Sequence, residues 1–214
     1  MRAKIAVATV SGKAYYLIVN ELNRRNISFL SLIPNEQIPA DVKVVLTTDA
    51  ERSLINHEKI LTIENSKSIE ALVNQALQID QGKEAYEKIV IGIDPGEVFG
   101  LAVLADGAVV ETGNCFGIKE TLERIEHVIK NFQETPTATV VVKIGDGIPE
   151  YKEKLLEALN DMLPSNVTLE SVSEAGTNRH ISETKHRRGL RDIVSAIRIA
   201  GRNGQTFARR KKDE

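Results

Sequence analysis

The sequence predicts an α/β protein of two domains: a small, mostly parallel α/β domain, then a domain built on a mixed five-stranded sheet. Three observations support this prediction. Strand-like β-branched runs alternate with helical apolar periodicity in the first part of the chain. An Asp-Gly dipeptide between two apolar runs, at 106–107, is typical of a hairpin. The periodicity lapses at 81–84, so we place the domains at residues 1–82 and 83–214.

The N-terminal part alternates between strand-like apolar runs and stretches of helical apolar periodicity. Apolar residues recur at helical spacing from Gly12 to Leu22 and again after Ser66. Strands that read as continuous apolar runs between helices favour a parallel sheet covered on both faces. The strand-like runs are residues 3–9, 27–33, 42–48 and 59–63.

Two short features of this part bear on function. Ser11-Gly12-Lys13 follows the first strand and opens a helix, a place that attracts anions, and the lysine adds positive charge. A phosphate-binding loop needs an earlier glycine and a hydroxyl after the lysine, and both are missing, so a plain helix cap is favoured. Thr48 and Glu51 have capping-box spacing, which predicts a short helix.

The C-terminal part predicts the element order βββαβαβα. Its first three strands pair as antiparallel hairpins, and the fourth and fifth join the sheet through helical crossovers. Helical spacing of apolar residues predicts a helix before the fourth strand, a helix before the fifth strand, and a last helix after residue 185. The predicted strands are residues 88–94, 100–106, 107–115, 137–145 and 166–174.

Composition argues for a cytoplasmic protein without a membrane partner. No run approaches the ~18 apolar residues of a membrane span, and the first residues do not resemble a signal peptide. The single cysteine, Cys115, precludes an internal disulfide and a cysteine-based zinc site, as expected in a reducing compartment.

Charge is divided unevenly along the chain. Residues 176–214 carry 11 basic and 4 acidic side chains, whereas residues 1–175 carry 17 basic and 26 acidic ones. A formal charge of +7 at one end and −9 elsewhere suggests that the basic end binds a polyanion. The other interpretation is a solvated basic helix and tail that aid solubility.

The most informative segment is IGIDPGEVFGLAV, residues 91–103. Asp94 ends a buried strand, a Pro-Gly bend follows, and Gly100 starts the next strand, which leaves room for a ligand beside the carboxylate. This segment resembles the first motif of RuvC-like nucleases. Together with the strand order and a late helix carrying an acid, it makes residues 88–200 similar to the RNase H-like superfamily, nearest to RuvC-type resolvases and YqgF-type nucleases. The N-terminal part lies outside this resemblance.

The resemblance implies a carboxylate cluster that holds divalent metal, Mg²⁺ or Mn²⁺. Asp94 matches the acid of the first strand, Glu174 the acid that ends the fifth strand, and Asp192 the acid of the last helix. The fourth strand departs from the pattern, because Lys143 and Gly145 stand where RuvC-like resolvases have a glutamate. Asp146, which lies just beyond this strand, is the candidate to take the place of that glutamate.

Each acid also has a structural interpretation. Asp94 would cap the Pro-Gly turn, and Glu174 would be a solvated strand end. Asp146 would open an Asp-Gly turn, and Asp192 would pair with Arg188, four residues earlier on a helix. Against these interpretations, acids that gather without a cation repel one another, so a purely structural cluster is costly.

Basic residues border the predicted acidic centre and suit a phosphate backbone. Aromatic residues make up 4% of the chain, which favours recognition of backbone or shape over base stacking. The predicted contacts to nucleic acid are Arg188, Arg191, Arg198, Arg202 and Lys143.

Three function classes remain open from the sequence. The leading hypothesis is a metal-dependent nuclease, a hydrolase that acts on structured DNA or RNA. The second is a nucleic-acid-binding protein that keeps the fold without the chemistry, because the fourth-strand glutamate is missing. The third is an ATPase of the actin and sugar-kinase class, which needs two such domains where this chain offers one. A homodimer is compatible with the sequence, which does not decide the oligomeric state.

Overall fold

The computed structural model describes residues 3–132, 139–173 and 185–208, and for residues 185–188 it describes the backbone alone. The chain divides into two units, Met1–Ala85 (unit 1) and Tyr86–Glu214 (unit 2). The division lies three residues beyond the predicted boundary at 82. Within the described part, no helix is both long and apolar enough to cross a membrane.

Unit 1 is a parallel four-stranded sheet in the order β2-β1-β3-β4. The predicted short helix after Thr48 is only one 3₁₀ turn, Arg52–Leu54. The elements are β1 (Ile5–Ala8), α1 (Gly12–Arg24), β2 (Phe29–Leu32), β3 (Val44–Thr47), β4 (Ile60–Thr62) and α2 (Ile69–Asp80).

Both helices of unit 1 pack on one face of its sheet. Side chains two apart on a strand point to the same face. Ile5 and Val7 therefore meet α1 and α2 in one core, whereas Ala6 and Ala8 lie in a second, smaller core on the other face. That second core is completed by residues from connecting segments, including Val42 and Ile55, rather than by a helix of the described chain. Both faces of this sheet are therefore covered, as expected, one by helices and the other by connecting segments.

Unit 2 holds a mixed six-stranded sheet in the order β10-β9-β8-β5-β6-β7. β5, β6 and β7 are antiparallel neighbours, while β8 and β9 run parallel to β5. The strands are β5 (Lys88–Asp94), β6 (Phe99–Ala105), β7 (Ala108–Cys115), β8 (Thr139–Gly145), β9 (Thr168–Val172) and β10 (Gln205–Thr206). The helices are α3 (Ile118–Phe132), α4 (Pro149–Met162) and α5 (Lys185–Gly201).

The predicted order of unit 2 is found with one addition. After the last helix the chain returns to the sheet as the two-residue strand β10, which pairs antiparallel with β9 and makes a sixth strand. The Asp-Gly hairpin is confirmed, because Asp106 and Gly107 both have positive φ, at 48° and 85°.

The two faces of this sheet carry different helices. Val90, Ala102 and Leu104 pack against Ala196 and Ala200, which places α5 on one face. The ring of Phe99, which points to the other face, makes an edge contact with Tyr151 of α4, with ring centroids 5.7 Å apart. A residue's position along its strand therefore decides whether it faces α5 or α4.

Candidate metal and nucleic-acid site

Helix α5 crosses its face of the sheet along a track of small residues. An added Cβ at Gly100 of β6 would lie 2.0 Å from the carbonyl oxygen of Asp192, and one at Gly92 of β5 would lie 2.2 Å from that of Ala196. At the helix start, a Cβ on Gly189 would lie 2.7 Å from Nδ2 of Asn114 on β7. Larger side chains at these positions would hold the helix away from the strands.

This crossing brings Asp94 and Asp192 to the same end and the same face of the sheet. Asp94 is two residues after Gly92, so its side chain points to the α5 face. Its register partner on β6 is Gly100, against which the Asp192 backbone lies. Both aspartates are partly exposed. Two of the three predicted metal ligands are thus carried at the same end of this face, although they are far apart in sequence.

Asp146 faces away from this pair. β8 runs beside β5 with Ile144 opposite Ile93, so Gly145 is the residue that comes level with Asp94. The carboxylate of Asp146 instead accepts a 2.5 Å hydrogen bond from Lys152 of α4, the helix on the other face. The described residue of β8 that comes level with Asp94 is therefore a glycine, and the carboxylate that follows it is paired with α4.

Lys143 was predicted to contact nucleic acid, but it is buried, with 5% of its surface exposed. It faces α5 beside Gly92. Its Nζ donates to the Arg202 carbonyl oxygen and lies 3.5 Å from Oε2 of Glu170, its neighbour on β9. Lys143 therefore joins β8 and β9 to the end of α5, and this placement is incompatible with a surface phosphate contact.

The predicted arginine stripe is only partly described. Arg191 and Arg198 are exposed on α5. Arg202 is partly buried, and its Nη1 donates to the carbonyl oxygen of Ser173 at 3.4 Å. The side chain of Arg188 and the whole of Glu174 lie outside the described residues.

Asp94 and Asp192 are the described residues to compare with the ligands that magnesium or manganese requires. Mg²⁺ usually keeps several waters and binds one or two carboxylates plus the phosphates of its substrate. Asp94 and Asp192 supply two partly exposed carboxylates of this kind. Among residues 3–132, 139–173 and 185–208, no group of three or more His, Cys, Asp or Glu side chains could enclose a metal ion.

A cleft of about 870 Å³ opens beside the two aspartates. The turn after Asp94 forms one wall, the end of β7 with Phe116 forms another, and the start of α5 forms the third. Sequence reasoning missed this cleft, because no motif connects its three segments. Its lining residues are Gly96, Glu97, Val98, Asn114, Phe116, Gly189, Leu190, Arg191, Asp192 and Ile193.

Unit 1 has a buried carboxylate at the carboxyl ends of β1 and β3. Glu51, 8% exposed, accepts hydrogen bonds from Thr9 Oγ1 at 2.5 Å, Thr48 Oγ1 at 2.6 Å and the Val10 amide at 2.7 Å. Burial alone would raise the pKa of Glu51. The hydrogen bonds from Thr48, Thr9 and the Val10 and Ser11 amides outweigh burial and hold that pKa below its ordinary value.

This carboxylate occupies the place where doubly wound sheets bind ligands. The order β2-β1-β3-β4 reverses direction between β1 and β3, and the crevice at such a point is the usual ligand site. Here Glu51 fills it from within the chain. Ser11 caps α1 by accepting from the Ala14 amide, so the plain-cap interpretation of Ser11-Gly12-Lys13 is confirmed.

Comparisons with known proteins describe mainly unit 1. A family model described as a response regulator receiver-like domain matches residues 4–79, about a third of the chain. No curated protein matches the chain. One similar solved structure is titled "Crystal structure of Aa-Ago with externally-bound siRNA". Its sequence identity is 12% and its TM-score 0.27, and the match covers 85% of this chain but 37% of that one. A TM-score this low does not establish a shared fold.

Proposed function

We propose that unit 2 is an RNase H-like domain that hydrolyses phosphodiester bonds of DNA or RNA with a divalent metal ion. The observation that carries the proposal is the position of Asp94 at the end of β5, next to Gly100, over which the Asp192 backbone of α5 lies. The central position of β5 supports the proposed fold. The hairpin strands β6 and β7 follow it on one side of the sheet, and the parallel crossover strands β8 and β9 lie on the other.

In this proposal the chain's own residues have separate roles. Asp94 and Asp192 hold Mg²⁺ or Mn²⁺, whose chemistry in such sites is to activate water and stabilise the leaving oxygen. Glu174 is the proposed third ligand. Arg191 and Arg198 bind the phosphates beside the cleft, and the glycine contacts with α5 keep Asp192 in place.

The first experiment measures cleavage by the full chain. Branched DNA, duplex DNA and structured RNA are incubated with Mg²⁺ or Mn²⁺, with chelator as the blank. D94N and D192N keep the shape of each side chain and remove its charge, so we expect each to lower the cleavage rate by at least about 100-fold. The control is D161N, which makes the same change at an exposed position on α4. If D94N and D161N cleave equally, Asp94 has no role in catalysis.

The second candidate is a nucleic-acid-binding protein without hydrolytic activity. It is favoured by Gly145, which offers no side chain at the strand end level with Asp94, and by the ion pair that holds Asp146 on the opposite face. This candidate predicts binding without cleavage under any metal condition. D94N would then bind as tightly as the unaltered chain or more tightly, because a negative charge near the phosphates is gone.

A further inference from the structure

Phe116 is an aromatic side chain that the fold holds out in solvent. Its exposed fraction, 76%, is the highest among the large apolar side chains of the described chain. The backbone around it is fixed, because the Phe116 amide donates to Oε2 of Glu120 at 2.6 Å and the Gly117 carbonyl accepts from Thr121 Oγ1. Gly117 has a φ of 116°, a conformation that favours glycine. The ring is therefore presented to solvent by a defined turn.

The surroundings of this ring combine apolar walls with charge. Val98 and Leu190 line the same cleft, and Leu190 is 64% exposed. Arg191 and Asp192 follow directly on the same helix and also line it. A volume of about 870 Å³ lies within the range of small-molecule sites. A flat apolar group joined to an anion matches this combination better than a purely apolar one.

Asn114 adds a polar group to the cleft. Its Oδ1 is buried and finds no hydrogen-bond partner among the described residues. A buried acceptor without a donor is unfavourable, and a ligand with an amino group at its edge would supply a donor once the Asn114 amide turns toward the cleft. Nucleobases such as adenine and cytosine carry such a group beside a flat aromatic face.

We propose that the cleft binds one unpaired nucleobase of a polynucleotide, stacked on Phe116, with an adjoining phosphate at Arg191. The proposal rests on the proposed function, since it takes nucleic acid as the substrate, and it narrows that substrate to strands with unpaired positions. Bases within an intact duplex are already stacked on their neighbours and cannot offer a free face. The scarcity of aromatic residues argued against base stacking. Phe116, however, lines the same cleft as Asp192 and provides one aromatic ring on which a base can stack.

Tryptophan fluorescence gives a direct test, because the chain contains no tryptophan. F116W places one indole in the cleft, and stacking against a base should quench its emission. The control V109W places an indole at an exposed position, 46% exposed, near the other end of β7. With chelator present to prevent cleavage, a single-stranded oligonucleotide should quench F116W and leave V109W unchanged.

Affinity measurements complete the test on the full chain. Loss of one base-aromatic stack should weaken single-strand binding by F116A roughly 5- to 150-fold, while F116Y retains it. Binding of a blunt duplex should be the same for all three proteins. Circular dichroism checks that F116A folds, as expected for a side chain outside the core.

The outcomes separate this inference from the proposed function. If F116A and the unaltered chain bind single strands equally, stacking is excluded, whereas metal-dependent cleavage that needs Asp94 would still support the nuclease. If no polynucleotide binds, both proposals fail. If F116W emission instead depends on protein concentration alone, the cleft is an interface between copies of this chain, and the base site is excluded.

Discussion

The acidic residues of this chain differ in how deeply they are buried. Glu21 is buried between Arg24 and Arg25, and Glu51 is enclosed by hydroxyl and amide donors. Asp146 is paired with Lys152. Asp94 and Asp192 remain partly exposed at the mouth of a cleft or beside it. Asp94 and Asp192 are therefore more accessible to a ligand than Glu21 and Glu51, which are buried.

Glu51 makes the stability of unit 1 depend on pH. Its native pKa is lowered, so the charged form stabilises the fold above the unfolded-state value of about 4.3, and this contribution is lost as pH falls through the native pKa. We expect E51Q to destabilise unit 1 by about 2 kcal/mol at pH 7, because an amide donor then faces existing donors. Hydrogen exchange of the β1 amides in the full chain measures this.

The control for this change is E58Q, which alters an exposed glutamate of the same unit. E58Q should leave β1 exchange unchanged at every pH. The difference between E51Q and the unaltered chain should stay constant down to about pH 4.3 and shrink below it. A difference that grows on acidification would mean that Glu51 is protonated in the native state, contrary to its hydrogen bonds.

Some residue positions could be predicted from sequence and others could not. Asp94 could be placed, because a buried strand, a carboxylate and a Pro-Gly break give its location at a strand end. Lys143 could not, because its environment depends on Gly92 and Glu170 on the neighbouring strands, and a single sequence does not give that pairing. Phe116 lacks any local signal of exposure, since a residue after a strand can turn toward either side.

At the scale of elements, α5 and the strands beneath it depend on each other's small residues. Backbone atoms of α5 lie where a Cβ on Gly92 or Gly100 would be, so the helix approaches these strands more closely than any larger residue would allow. This close approach sets the height and position of Asp192 above the strand end. The apolar periodicity of residues in α5 predicts this helix from the sequence. Strand β10 has only two residues, and so short a pattern cannot be recognised.

A methyl group at Gly100 should push the helix away. The added Cβ would meet the backbone of Asp192, which cannot rotate aside as a side chain can. We expect G100A to lower the free energy of unfolding of unit 2 by about 3 kcal/mol. Thermal unfolding of the full chain, followed by hydrogen exchange of β5, measures the loss.

The matched control is G113A on the adjacent strand β7. Nothing lies within 4 Å of a Cβ there, and Gly113 is the register partner of Leu101, next to Gly100. Alanine should be neutral or stabilise by up to about 1 kcal/mol, because it reduces the freedom of the unfolded chain. Equal losses from G100A and G113A would show that the sheet tolerates no side chain here and that α5 contact is not the cause.

For the whole molecule, sequence reasoning predicted two domains and found the α/β class, because helical and strand periodicities span many residues. The structure divides into two compact units. Sequence reasoning predicted that both faces of the unit 1 sheet are covered, but it could not identify what covers the second face, since connecting segments without periodicity form that core. The segregation of charge was also readable from sequence, and it makes a prediction about binding that does not depend on catalysis.

Binding of polynucleotides should depend steeply on salt, because each phosphate contacted releases counterions. On duplex DNA, the log-log slope is near −0.9 per phosphate. R198A removes an exposed cation of α5 and should weaken binding to all sequences alike and reduce the slope by about one unit. K119A, an exposed lysine on α3, is the control and should change neither. Affinity that does not vary with salt would assign the basic end to solubility.

The contact of α5 with Gly100 also has a consequence for the time course of biosynthesis. Asp94 and Asp192 are separated by about a hundred residues of chain, so at roughly 5–20 residues per second a ribosome needs about 5–20 s to proceed from one to the other. Contacts of such high sequence separation form late in folding. A nascent chain that has emerged only as far as β9 carries Asp94 without its helical counterpart, and the acidic pair exists only after α5 has docked.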